Sequence, residues 1–81
     1  MKVKALYFAQ IREAKGMADE VLEIPAGSRA GDLRSRIVSD HPALANLENR
    51  IRLAVNLEIV NDGRALREGD EVVLLLPFSG G

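Results

Sequence analysis

Hydrophobic and polar positions alternate near both ends of the chain, and near its middle they fall into a helical stripe. Residues 2–8 open in alternation and are partly β-branched or aromatic, which predicts a strand. Residues 10–15 have room for one helical turn, stopped by Gly16. Residues 20–24 predict a second strand, ended by Pro25, Ala26 and Gly27. Two strands separated by residues 9–19 suggest an antiparallel pair with a long, partly ordered loop.

The middle of the chain holds the one convincing helix. Ser28 is placed to cap it, since a hydroxyl accepts from a free amide of the first turn. Ala30, Leu33, Ile37 and Val38 then form one apolar stripe, with Arg29, Arg34, Arg36 and Asp40 on the other side. His41-Pro42 stops the helix, because a residue before proline is pushed out of the helical region. Residues 43–48 have room for a further short turn built on Leu44 and Leu47.

Residues 52–56 read as a third strand, and residues 57–60 continue or re-form it before a turn at Asn61, Asp62 and Gly63. Residues 64–69 connect onward with Leu66 as their apolar anchor, and residues 70–76 carry the strongest strand pattern, with aliphatics at every position from Val72 to Leu76. A lone amphipathic helix covers only one face of a four- or five-stranded sheet. If the first strand pairs with the last in parallel, the helix occupies the crossover and the sheet wraps around it. The expectation is therefore an α+β chain of the β-grasp (ubiquitin-like) kind: one domain over residues 1–81, with 77–81 as an extended flexible tail.

Composition narrows the function. The chain has 81 residues, and at that size roughly 60–65% of the unfolded surface is buried, enough for one thin core. There is no cysteine, so side chains supply no thiolate metal site, disulfide or thiol nucleophile. Eleven basic residues against twelve acidic ones argue against nucleic-acid binding. The absence of a long apolar run or a leader-like start argues for no membrane association and a cytoplasmic location.

The catalytic inventory is thin. His41 is the only histidine and reads as a surface residue at a helix end. Ser28, Ser35, Ser39 and Ser79 have no base at a productive spacing, and the acidic residues are scattered singly, so neither a triad nor a metal site is indicated. Residues 27–31 lack the lysine and the spacing of a phosphate loop. The last residues are different, for the sequence closes on Gly80 and Gly81. A frayed tail or a cloning scar are the plain readings. Against them, the glycines follow a strong strand after only Pro77, Phe78 and Ser79. Residues without Cβ thread a channel too narrow for side chains. A terminal carboxylate, ionised at neutral pH and a poor electrophile, becomes reactive once a partner adenylates it.

A second feature also points to a partner. In the last strand Val72, Leu74 and Leu76 point one way while Val73 and Leu75 point the other; near the start, Leu6 and Phe8 lie opposite Val3, Ala5 and Tyr7. With one helix on one face, the surplus set is either exposed, with Ile59 as a further contributor, or packed against loops. A contiguous exposed patch on so small a domain marks a binding site.

Residues 7–13 (YFAQIRE), 54–56 (AVN), 69–72 (GDEV) and the closing Ser79-Gly80-Gly81, in this order and spacing, resemble the small sulfur-carrying subunit of molybdopterin synthase over essentially the whole chain. Ubiquitin and the thiamine-pathway sulfur carrier are more distant likenesses. The resemblance implies that Gly81 is adenylated and converted to a thiocarboxylate, then donates sulfur to cyclic pyranopterin monophosphate, with Gly80 as a slim neck. It implies three partners: a large synthase subunit forming a heterotetramer, a ubiquitin-activating-like adenylyltransferase, and a sulfur donor protein. No cofactor would be bound stably, ATP being used by the activating partner. Phe8, Ile59 and Leu75 match the family's apolar partner surface, which Val73 joins by the alternation above. Arg12 matches a polar contact at its rim, and Pro77, Phe78 and Ser79 belong to the inserted tail. The chain would then be no enzyme alone, only the sulfur-donor half of one.

The tail departs from the family's usual Pro-Pro-Val-(Ser/Thr)-Gly-Gly. Leu76 replaces the first proline and leaves the neck less preordered, and Phe78 is bulkier than valine. Two alternatives stand beside the carrier of molybdopterin synthesis. One is a paralogue that serves thiamine or an amino acid, or that modifies proteins. The other is a β-grasp interaction module whose tail does no chemistry.

Overall fold

The computed structural model describes residues 1–77. In chain order the elements are β1 (Lys2–Tyr7), α1 (Ala9–Lys15), β2 (Asp19–Glu23), α2 (Ala30–Asp40), a 3-10 segment (Pro42–Arg50), β3 (Arg52–Val55), β4 (Glu58–Val60) and β5 (Glu71–Leu75). The strands form one five-stranded mixed sheet in the order β2-β1-β5-β3-β4. β1 and β5 run parallel at its centre, and the other pairings are antiparallel. Because parallel neighbours cannot be joined by a tight hairpin, the chain between them crosses over, and α2 lies in that crossover. The β-grasp arrangement read from the pattern is the one observed.

Alternation decides the core. Val3, Ala5 and Tyr7 of β1, Val72 and Leu74 of β5, and Leu53 and Val55 of β3 are buried on one face. There they join the Leu33, Ile37 and Val38 stripe of α2, with Ile11, Leu44 and Leu66 closing the edges. Tyr7, Ile11, Leu33, Leu44 and Leu74 are all less than 2% exposed.

The structure corrects several expectations. The first helical segment starts at Ala9 and makes two turns rather than one, because Ile11 is fully buried and anchors it. It ends where Gly16, at φ 74°, donates its N–H to the Arg12 carbonyl at 2.9 Å, a left-handed stop that suits glycine. Ser28 is not the cap of α2. Its hydroxyl donates back to the Pro25 carbonyl at 2.7 Å, and Arg29 takes the cap position while the Asp32 carboxylate accepts from Arg29 N–H at 2.9 Å. The next amides of α2 find partners in the β4–β5 connection: Ala30 N–H donates to Arg64 O and Gly31 N–H to Asp62 O. That approach is close, since a Cβ on Gly31 would lie 2.9 Å from Asp62 Cβ. Residues 43–48 lie within the longer 3-10 segment. Residues 52–60 form a hairpin of two strands, turning at Asn56 (φ 49°) and Leu57 (φ 75°). Two successive left-handed residues match the right-handed twist of the flanking strands.

Candidate functional site

The face of the sheet away from α2 carries the surplus apolar set. Leu6 stands in register with Val73, Val73 with Ala54, and Ala54 with Ile59, so one row runs across four strands. Leu6 and Val73 are half-buried, Ala54 is buried by its neighbours, and Ile59 remains 65% exposed at the edge strand. On one side of this row Lys4 pairs in register with Glu71. On the other, Arg52 pairs in register with half-buried Leu75, the last residue of β5 before Leu76 and Pro77. Phe8, 50% exposed, follows directly on β1 at this same end.

The predicted site residues Phe8, Ile59, Val73 and Leu75 thus lie on or beside one open face, while exposed Arg12 sits on α1. Pro77 is exposed at the end of the described residues; Phe78, Ser79, Gly80 and Gly81 lie outside them. Leu6 completes the row, and the alternation of β1 signals it. Arg50 and Arg52 carried no motif that singles them out, yet they border the root of the tail with Ala9, Asn49 and Leu76.

Two polar clusters hold the elements around this face. Asp70, 7% exposed, precedes β5. Its carboxylate accepts from Arg67 N–H at 2.8 Å and from Asn56 Nδ2 at 3.0 Å, and it pairs with Arg64 at 3.4 Å. Burial alone would raise its pKa, but these bonds together outweigh burial and leave it below the ordinary value. Asn56 completes the link by accepting from Glu71 N–H at 3.1 Å, so the β3–β4 turn is tied to the start of β5.

The second cluster lies under α1. The Tyr7 hydroxyl donates to Glu20 Oε2 at 2.5 Å, and Lys15 Nζ reaches the same oxygen at 2.6 Å. Lys15 Nζ also lies 2.7 Å from His41 Nε2 and 5.1 Å from the centre of the Tyr7 ring. An ammonium has no lone pair, so Nε2 is the acceptor. His41 is therefore not the free surface residue expected at a helix end. It is half-buried and joins the end of α2 to α1. Burial, then the Glu20 bond, pushes the Tyr7 phenol far up. For Glu20 burial opposes ionisation, and the Lys15 and Tyr7 bonds outweigh it, so its carboxyl is held below the usual range. This cluster is a clasp that joins β1, α1, β2 and the end of α2. Among the described residues, no helix is long and apolar enough to cross a membrane.

Comparison with known proteins bears on the open face and on the residues beyond β5. The ThiS family profile matches residues 5–81. The molybdopterin synthase sulfur carrier subunit of Chlamydomonas reinhardtii is 40% identical over the whole of both chains. A structure described as putative molybdopterin converting factor subunit 1, from Pyrococcus furiosus, superposes with a TM-score of 0.87 at 30% identity, covering 96% of this chain and 99% of that one. A complex of subunits 1 and 2 of molybdopterin-converting factor from Helicobacter pylori contains a chain similar in fold, with a TM-score of 0.71 at 23% identity over the whole of both chains. With a family match over nearly its full length and a full-length relative well above 30% identity, the chain belongs to the ThiS family, alongside the molybdopterin synthase sulfur carrier subunits.

Proposed function

We propose that the chain carries sulfur on the carboxyl carbon of Gly81 and delivers it for molybdopterin synthesis. The observation that carries this reading is the apolar row Leu6–Val73–Ala54–Ile59 on a strand order in which central β5 runs straight into residues 76–81 and their closing glycines. One surface then serves for docking, and the reactive group lies a few residues further along the sequence.

The chemistry follows from the carboxylate. An adenylating partner lets the Gly81 carboxylate attack the α-phosphorus of ATP, which releases pyrophosphate and leaves an acyl-adenylate. Hydrosulfide released by a donor protein then attacks the carboxyl carbon, forming the C–S bond as the C–O bond to AMP breaks and AMP leaves. The resulting thiocarboxylate enters the active site of a large synthase subunit, where its sulfur bonds to cyclic pyranopterin monophosphate. Water then cleaves the C–S bond to Gly81, regenerating the carboxylate. ATP belongs to the activating partner, and this chain contributes the face, the neck and the carboxyl carbon. The Helicobacter pylori relative in fold is described as a complex of subunit 1 with subunit 2, which agrees with pairing of this kind. The chain's lack of cysteine also favours the main-chain carboxyl as sulfur carrier, since no side chain can hold a persulfide.

Thiocarboxylated chain mixed with the large subunit is expected to convert the pyranopterin precursor. Failure there, with transfer to a thiamine or amino-acid acceptor instead, would assign the chain to a paralogous pathway. Extending the chain by one residue beyond Gly81 is expected to abolish cofactor synthesis. Synthesis that survives with the extension uncleaved would reject the carrier reading altogether.

A further inference from the structure

A groove opens beside the root of the tail, between Ala9 at the start of α1, Asn49 and Arg50 at the end of the 3-10 segment, Arg52 of β3, and Leu76 with Pro77. Its charge is one-sided. Arg50 and Arg52 are both exposed, and neither forms an ion pair among the described residues. Arg34, Arg36 and Arg64 are matched to Asp62, Asp40 and Asp70. Arg12, Arg29 and Arg67 also form no ion pair among the described residues, so it is the presence of Arg50 and Arg52 together in one groove that sets it apart. Arg52 donates only to the Asn49 carbonyl, at 3.2 Å, and Asp62, whose carboxylate feels its charge, is already held by Arg34. The chain as a whole has one more acidic than basic residue, so an acid-free basic groove is a local arrangement and no reflection of bulk charge.

Its position matters as much as its sign. Arg52 is the register partner of Leu75, so whatever covers the end of β5 meets the guanidinium in the same step. The four residues beyond Pro77 span at most ~14 Å when fully extended. A protein that brings its reacting atoms to Gly81 must therefore place the walls of its channel close against this groove.

We propose that Arg50 and Arg52 form a cationic clamp for carboxylates at the mouth of the channel in the subunit that receives the tail. Guanidinium forks match carboxylates in two-point geometry. Charges at the rim of an interface act mainly on the rate and orientation of encounter, while the apolar row supplies the grip. The clamp rests on the carrier reading above and adds to it the charge of the receiving surface.

The test is the association rate of the full chain with the large synthase subunit, measured against ionic strength for wild type, R50E/R52E and R50K/R52K. Circular dichroism establishes that each variant is folded. At low salt R50E/R52E is expected to associate at least tenfold more slowly, with a far smaller change in dissociation rate, and the gap should close at high salt as charges are screened. R50K/R52K should retain most of the wild-type salt dependence. Identical rates for wild type and R50E/R52E at every salt concentration would overturn the clamp while leaving the carrier reading intact. Faster association of R50E/R52E would also overturn it, and would mean that the arginines hold the chain's own terminal carboxylate. No binding even by wild type would remove the carrier reading, and the clamp with it.

Discussion

Leu6 and Val73 stand opposite one another in the parallel β1–β5 pairing, on the face that α2 leaves open. They sit at the centre of the sheet, and a contiguous exposed apolar row there is the kind of surface a second protein covers. The row they share with Ala54 and Ile59 reaches the edge strand, and Leu75 and Phe8 extend the patch toward the tail.

The first prediction concerns this patch. Phe8→Asp and Leu75→Asp are expected to leave a folded monomer and to weaken binding of the large subunit by ~2 kcal/mol or more, since each truncates an anchor and forces a charge into the contact. A calorimetric titration checks this. Unchanged affinity in both variants would move the interface elsewhere.

Asp70 is expected to matter for stability without touching the partner. Asp70→Ala leaves Asn56 and the Arg67 amide without their acceptor and should cost about 2 kcal/mol in denaturant unfolding. The pH dependence has a definite sign. The folded carboxyl is held below its ordinary value of 3.8, so its contribution is present above that value and fades as pH falls through the folded pKa. The difference between wild type and Asp70→Asn should therefore shrink in strong acid, and a constant difference from neutral pH to pH 2 would contradict the assignment.

Lys15 should be the weakest point of the clasp under α1. With its side chain only 5% exposed, Lys15→Met keeps the apolar stem and removes the charge between Glu20 and His41. The expected cost is about 2 kcal/mol near neutral pH. Glu20 is held below its ordinary value of 4.5, so this cost also falls as pH drops through the folded pKa and the carboxylate protonates. Amide exchange should show α1 opening first in the variant. Uniform loss of protection across the sheet would mean that the clasp is not local.

Leu57 offers a prediction of opposite sign. It holds φ 75° at a hairpin turn with 90% of its surface exposed, so the side chain contributes little packing and strains the backbone. Leu57→Gly should stabilise the free chain by about 0.5–1 kcal/mol, the glycine's extra unfolded entropy offsetting part of the relief. A lower thermal midpoint would show that Leu57 makes contacts that support the turn.

Much of this architecture was legible in the residues. Alternation in residues 2–8 and 72–76 separated Val3, Ala5 and Tyr7 from Leu6 and Phe8, and Val72 and Leu74 from Val73 and Leu75, leaving to the structure which set is buried. The Ala30–Leu33–Ile37–Val38 spacing located the covering helix. What escaped depended on tertiary partners. The Asn56-Leu57 turn was hidden because leucine is not a turn residue, and it is the pairing of β3 with β4, closed by Val55 opposite Glu58, that forces it. Ser28 looked like a cap, but the left-handed Gly27 before it, at φ 89°, turns the hydroxyl back to Pro25. His41 looked solitary because its partner Lys15 lies far away in sequence and meets it only through packing of α1 against the end of α2. Arg50 and Arg52 belong to no motif, and they matter through their place beside β5.

Sulfur that travels on the last carboxyl of this chain leaves a signature in its mass. Intact-mass measurement of the protein after incubation with its activating enzyme, ATP and a sulfur donor tests that most directly. The expected result is a mass gain equal to the exchange of one oxygen for one sulfur, located by fragmentation at Gly81 and absent without ATP. An unchanged mass under those conditions, or sulfur found on any residue other than Gly81, would contradict it.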